Sequence, residues 1–125
     1  MKSLIVSLCA VAFLVALPHA AVAQHHEGNS PKAEFHLSKT LIVGTTTVQP
    51  GDYKFQCLFI DGKDVLVVTS ADDGREVARV PCTPEQLSGK IDMSDFRSIT
   101  RPDGTVALTA VRIKGENIAH RLVLN

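Results

Sequence analysis

The sequence predicts a small all-β protein, built as a single antiparallel barrel or sandwich of about seven or eight strands. Short runs rich in β-branched and aromatic residues alternate apolar and polar positions, as half-buried strands do. Turn-forming pairs such as Pro50-Gly51, Asp61-Gly62 and Asp103-Gly104 separate these runs. One short connector helix is expected near residues 84–88, where Pro84 suits a first helical position.

The first part of the chain has the features of a signal peptide. Lys2 supplies a positive charge, an apolar run extends from Leu4 to Leu17, and Ala21-Val22-Ala23 forms a small-residue cleavage pattern. The apolar run is shorter than the roughly 20 residues that a membrane-spanning helix needs. We therefore expect residues 1–23 to be removed after Ala23, leaving a secreted or periplasmic protein without stable membrane insertion.

The remaining residues suffice for one domain. Residues 24–32 mix polar residues with glycine and proline and are expected to form a disordered lead-in. Residues 33–125 are expected to form a single β-domain, since about 100 residues can bury a modest core. The formal net charge of the chain is zero, which gives no support for binding to nucleic acid or to an anionic membrane.

Cys57 and Cys82 are the two cysteines that follow the signal peptide, and an oxidising compartment favours a disulfide between them. The predicted hairpin registers place the two cysteines too far apart for that disulfide. A two-residue turn at Asp61-Gly62 places Cys57 opposite Leu66. A pairing of Ser70 with Glu76 across the next turn places Leu66 opposite Val80. The two cysteine Cα atoms would then be roughly 12 Å apart, beyond the limit of about 7 Å for a disulfide. A disulfide and two buried free thiols both stay open as alternatives.

Five basic residues are predicted to share one face of the second meander. Two-residue hairpin loops would align Arg97, Arg112 and Arg121, with Arg101 and Lys114 beside them. Such a face offers bidentate contacts to an anionic ligand or to the carboxylates of an envelope protein. The alternative is a solvated outer face whose charges keep edge strands from aggregating.

Three histidines are candidates for metal binding or catalysis. After cleavage behind Ala23, His26 is the third residue, and the terminal amine, two amide nitrogens and its imidazole can form a square-planar Cu(II) or Ni(II) site. The alternative is an incidental polar tail. His120 falls on an apolar face opposite Val111, where a hydrogen-bonded core residue is expected. His36 has no acidic or cysteine partner at ligand spacing in the sequence.

Several segments together resemble a known group of proteins. The signal peptide, the segment Val48–Phe55 with its Pro-Gly-Asp-Tyr turn, the Val80-Pro81 step and the hairpin at Val111–Gly115 resemble small secreted bacterial all-β proteins of uncharacterised function. The resemblance covers most of the chain after the signal peptide. It implies secretion and an all-β fold, and it transfers no catalytic residues.

These features favour a non-enzymatic binding or interaction module of the cell envelope, with no cofactor expected. The sequence holds no nucleophile elbow, phosphate loop or His-Glu metal motif. One alternative is a structural or assembly subunit that pairs through edge strands, and another is a small hydrolase or metal-handling protein. A ligand-sized cleft with converging polar groups would favour the binding module. His36, His120 and a carboxylate in one cleft would favour the enzyme.

Overall fold

The computed structural model describes residues 30–123, which contain nine strands. In chain order these are β1 (Lys32–Leu37), β2 (Leu41–Val43), β3 (Thr46–Val48), β4 (Gly51–Ile60), β5 (Lys63–Ser70), β6 (Glu76–Gln86), β7 (Asp95–Thr100), β8 (Val106–Arg112) and β9 (Ile118–Leu122). The predicted signal peptide, most of the predicted lead-in and the predicted metal site at His26 lie outside the described residues. Within 30–123, no helix has the length and apolarity to span a membrane.

All nine strands belong to one sheet. The order is β1-β4-β5-β6-β9-β8-β2-β3. The strand β7 lies outside this order and also pairs with β8. The pairing of β2 with β8, at Ile42 and Ala107, is parallel, whereas the other described pairs are antiparallel. The end strands β1 and β3 do not pair with each other in the described sheet. The all-β class is therefore confirmed. Of the two predicted architectures, barrel or sandwich, the closed barrel is wrong, because the sheet does not close.

One apolar core lies inside the curl of this sheet. Its fully buried side chains include Phe55, Leu66, Leu108 and Val111, and buried residues of β1, β2 and β3 belong to the same cluster. Phe35 of β1 and Phe96 of β7 meet edge to face, with ring centroids 5.1 Å apart. Side chains thus join strands that share no backbone pairing, which explains how the sheet encloses a core without hydrogen-bonded closure.

The predicted pairings of Cys57 with Leu66 and of Leu66 with Val80 are confirmed. The predicted pairing of Ser70 with Glu76 is wrong, because a register shift between Val68 and Thr69 places Thr69 opposite Glu76. Asp61 and Gly62 both have positive φ, as the turn between β4 and β5 requires. This turn places Cys57 opposite Leu66, and Leu66 lies opposite Val80 in the next pair. Local turn chemistry therefore fixes which residues of β4, β5 and β6 share a face.

The predicted connector helix at 84–88 is wrong, because β6 continues through this segment. Residues Cys82 to Gln86 pair with β9, and this pairing bonds backbone groups that a helix would bond internally. Pro84 also keeps Thr83 in an extended conformation. A second difference concerns the strand count, because the structure has nine strands where about seven or eight were predicted. A bend at Ser38 and Lys39 separates β1 from β2.

Candidate functional site

A cleft of about 770 Å³ lies over the strands β4, β5, β6 and β9. Apolar side chains form much of its wall, including Leu58, Phe59, Pro84, Ile118 and Val123. Five chemically reactive side chains form what we call the cleft floor: Cys57, Asp64, Cys82, Glu116 and His120. We name the whole feature the Cys57 cleft.

Strand registers bring the cleft floor together. Asp64 of β5 lies opposite Cys82 of β6, and two residues further along β6 Pro84 lies opposite His120 of β9. Alternate residues of a strand share a face, so Asp64 projects to the same side as Leu66, the partner of Cys57. Four side chains from four adjacent strands therefore converge at one end of the apolar core.

His120 is the most deeply buried polar residue of the described chain, with 3% of its surface exposed. Its Nδ1 lies 2.7 Å from Oδ2 of Asp64, and its Nε2 lies 3.0 Å from Oε1 of Glu116. Burial lowers the pKa of His120, but the two carboxylate hydrogen bonds outweigh burial and raise this pKa to about 9. His120 is therefore an imidazolium at neutral pH, and both ring N–H groups donate to carboxylates.

Glu116 is held in place by its own backbone. It lies in the turn between β8 and β9, where the Ile91 amide donates to the Glu116 carbonyl at 2.8 Å. The neighbouring Gly115 amide donates to the Ile91 carbonyl at 2.9 Å. The segment between β6 and β7 thus fixes the turn that aims Glu116 at His120.

Cys57 and Cys82 are both free thiols. The Cys57 thiol donates to the Cys82 sulfur, and this bond together with burial raises the pKa of Cys57 well above its ordinary value. The same hydrogen bond lowers the pKa of Cys82. The two side chains meet in the cleft floor. A separation estimated for a flat sheet does not predict this contact, because a real sheet twists and coils.

The three arginines predicted as an anion site do come together. Arg97, Arg112 and Arg121 line a hollow of about 200 Å³ beside Glu85. Arg112 donates two hydrogen bonds to Asp95, one of them 2.7 Å long, and it holds the pKa of that carboxyl below its ordinary value. Arg121 lies 3.3 Å from Glu85. Two of the three guanidinium groups thus already have carboxylate partners, which weakens the case for an anionic ligand.

His36 lies apart from the cleft floor. Its Nδ1 contacts Oδ1 of Asp52 at 2.7 Å, and both side chains are more than half exposed. His36 is not among the residues that line the Cys57 cleft. The described residues therefore do not form the arrangement of His36 with His120 that would favour an enzyme.

Sequence reasoning missed Asp64 and Glu116. The signal for Asp64 was present, because the register that pairs Leu66 with Val80 also pairs Asp64 with Cys82. Glu116 and His120 reach the floor only through the pairing of β6 with β9. Two strands separate β6 from β9 in the chain, and no local pattern marks that partnership.

Fold and site together define a small all-β protein with a cleft whose floor combines thiols, carboxylates and a charged histidine. The chain matches no protein-family model, and neither a curated protein nor a solved structure is significantly similar to it. Its function is therefore inferred from the site itself.

Proposed function

We propose that the protein is an exported, non-enzymatic binding module of the cell envelope, and that the Cys57 cleft binds a small cationic ligand. One observation carries the proposal. The cleft floor sets two carboxylates, Asp64 and Glu116, against a single histidine. A recessed floor with excess negative charge attracts a cation, and the apolar wall removes competing water. Lys63 lines the same cleft, but its side chain is exposed, so water screens its charge.

The protonation and hydrogen bonding of His120 and Cys57 in the cleft floor also support binding in preference to catalysis. A nucleophilic cysteine needs an adjacent general base or a neighbouring positive charge that lowers the pKa of its thiol. Both ring nitrogens of His120 are held by carboxylates. The hydrogen bond to Cys82 and burial raise the pKa of Cys57, which keeps that thiol protonated. The cleft thus offers a cation-binding surface in which His120 is not a free base and Cys57 is not an activated nucleophile.

Export follows from the sequence of the first 23 residues, with cleavage expected after Ala23. Expression of the full chain in a bacterial host, followed by N-terminal sequencing of the protein in the periplasm or medium, tests this step. A mature protein that begins at Gln24 supports export. An intact chain retained in the cytoplasm would contradict it.

Cation binding can be tested with two probes of equal size and opposite charge, n-butylammonium and butyrate. In two-dimensional ¹H–¹⁵N spectra, n-butylammonium should shift the amide signals of Gly62, Thr83 and Ile118 at the cleft, and butyrate should not. The double variant with Asp64→Asn and Glu116→Gln should lose this response. Asp52→Asn is the matched control, because it removes a surface carboxylate that also contacts a histidine at 2.7 Å.

Two results would refute the proposed function. One is an equal response of the cleft to both probes, since charge would then not select the ligand. The other is a response to n-butylammonium that survives in the double variant.

A further inference from the structure

Three side chains of the cleft floor offer metal ligands at close range. The Cys57 sulfur, a carboxylate oxygen of Asp64 and a ring nitrogen of His120 all lie within 4.8 Å of one another. In a tetrahedral zinc site with bonds of about 2.0 to 2.3 Å, ligand atoms are about 3.3 to 3.8 Å apart. Side-chain shifts of about 1 Å would therefore close these three atoms around one ion.

Cys82 is the candidate for a fourth ligand, although its sulfur does not lie within 4.8 Å of all three of these ligand atoms and needs a larger side-chain shift to reach the ion. Its thiol contacts that of Cys57, and its strand places it opposite Asp64. Two sulfurs, an imidazole nitrogen and a carboxylate oxygen suit a borderline-soft ion such as Zn²⁺, whereas Mg²⁺ and Ca²⁺ prefer oxygen ligands. The donor set therefore selects an ion of the zinc class.

Glu116 lies in the position of a hydrogen-bond acceptor for the second ring nitrogen of a metal-bound His120. Such a histidine generally donates its second N–H to a carboxylate, which fixes the ring orientation. In His120, Nδ1 faces Asp64 at 2.7 Å and Nε2 faces Glu116 at 3.0 Å. An ion that takes Nδ1 and Asp64 as ligands leaves the bond from Nε2 to Glu116 intact.

An ion cluster that only stabilises the fold is the alternative explanation. Desolvation offsets much of the attraction within a buried ion cluster, so stabilisation of the fold is a weak reason for placing one here. This cluster also opens into a cleft of about 770 Å³, which gives an ion an entry path. Within the described part of the chain, no other group of three metal-ligating side chains lies this close together.

We infer that Cys57, Asp64, Cys82 and His120 bind one divalent ion of the zinc class, with Glu116 as the positioning residue for His120. The inference rests on the proposed function, because it names the cation that occupies the Cys57 cleft.

Cobalt(II) is the probe of choice, because a tetrahedral Co²⁺ site with thiolate ligands absorbs visibly and shows a charge-transfer band for each thiolate. The purified protein is reduced, freed of metal with a chelator and titrated with Co²⁺. We expect one equivalent to bind with a tetrahedral spectrum and a thiolate band, and one equivalent of Zn²⁺ to abolish both signals.

Single variants assign the ligands. Cys57→Ser and Cys82→Ser should each lower the thiolate band by about half, since each removes one of two sulfurs. His120→Gln should weaken Zn²⁺ affinity more than about 100-fold. Glu116→Ala should weaken it by about 10- to 100-fold while the thiolate band persists. Circular dichroism of each metal-free variant separates loss of a ligand from loss of the fold.

Two control variants test for binding elsewhere. His36→Gln removes a histidine with the same 2.7 Å carboxylate contact on the surface, and His26→Ala removes the predicted lead-in site. Both should bind Co²⁺ and Zn²⁺ as the parent protein does.

Three outcomes would overturn the inference: a Co²⁺ spectrum without a thiolate band, affinity that survives His120→Gln in a folded variant, or metal uptake that disappears with His26→Ala. If Zn²⁺ fails to bind while n-butylammonium shifts the cleft signals, the metal inference falls and the proposed function stands. If neither probe binds, both fall.

Discussion

Phe55 is the residue on which packing depends most. It is fully buried, its ring meets that of Phe35 edge to face at 5.0 Å, and it lies 6.1 Å from that of Phe96. Phe55 and Phe35 belong to the paired strands β4 and β1, whereas Phe96 belongs to β7, which lies far from both in the order of the sheet. Phe55 therefore fills the space between the β1–β4 pair and β7, which share no hydrogen bonds.

Replacing Phe55 by alanine should lower the free energy of unfolding by about 3 to 5 kcal/mol, because it leaves a cavity between the two other rings. Urea denaturation followed by circular dichroism measures this loss. Phe59→Ala is the matched control, since Phe59 is 51% exposed and its loss should cost less than about 1 kcal/mol. Equal losses in the two variants would contradict this account of the core.

His120 should make the stability of the metal-free protein depend on pH. Its pKa rises from 6.5 in the unfolded chain to about 9 in the fold. The charged ring faces Asp64 on β5, Glu116 in the β8–β9 turn, Cys57 on β4 and Cys82 on β6. Because the folded pKa is the higher one, this stabilisation is complete below pH 6.5 and is lost as the pH rises through 9.

Urea denaturation in the presence of a chelator, repeated from pH 6 to pH 10, should show the free energy of unfolding falling across the interval between 6.5 and 9. His120→Gln should flatten this decline, whereas His36→Gln should leave it unchanged. A decline of equal size in both variants would show that another group is responsible.

At the scale of elements, the turn between β2 and β3 fits closely against β6. Gly44 in this turn has a φ of +63°, and a Cβ atom at that position would lie 3.2 Å from Cγ2 of Val80. Only glycine combines the left-handed backbone with so close an approach. The short β2–β3 hairpin thus packs on β6, although neither strand is bonded to it in the sheet.

Gly44→Ala should therefore lower the free energy of unfolding by about 1 to 2 kcal/mol from the backbone alone, and by more if Val80 cannot shift. Thermal or urea unfolding measures the change. Gly89→Ala is the control, because nothing lies within 4 Å of a Cβ there and no positive φ is recorded. A loss confined to Gly89→Ala would refute the packing of this turn.

At the scale of the whole molecule, the sheet has edges. β1 ends the strand order, and its outward residues Lys32, Glu34 and His36 are exposed. Charged side chains on an edge strand discourage pairing with another chain. This pattern argues against the alternative of an assembly subunit that uses the β1 edge.

Removing the two opposite charges, with Lys32→Val and Glu34→Val together, should cause self-association through β1. Sedimentation velocity at increasing concentration would detect dimers or larger species. A control with Lys39→Val and Asp92→Val changes the charge equally at exposed positions outside β1. Association of the control, or of neither protein, would contradict a protective role for the β1 charges.

The sequence by itself determined the all-β class and the registers of β4, β5 and β6. Both follow from local causes, since alternating apolar positions define strands and the turn at Asp61-Gly62 sets the pairing of its neighbours. The same register also contained the pairing of Asp64 with Cys82. Three of the five cleft-floor residues, Cys57, Asp64 and Cys82, were therefore placed by the sequence pattern.

Only the tertiary structure decided the rest. The pairing of β6 with β9 replaced the expected helix at 84–88 and brought His120 and Glu116 to the thiols. Contacts between the sheet's distant strands enclosed the core without closing a barrel. Such long-range contacts depend on packing free energy summed over the whole core, and no short stretch of sequence encodes them.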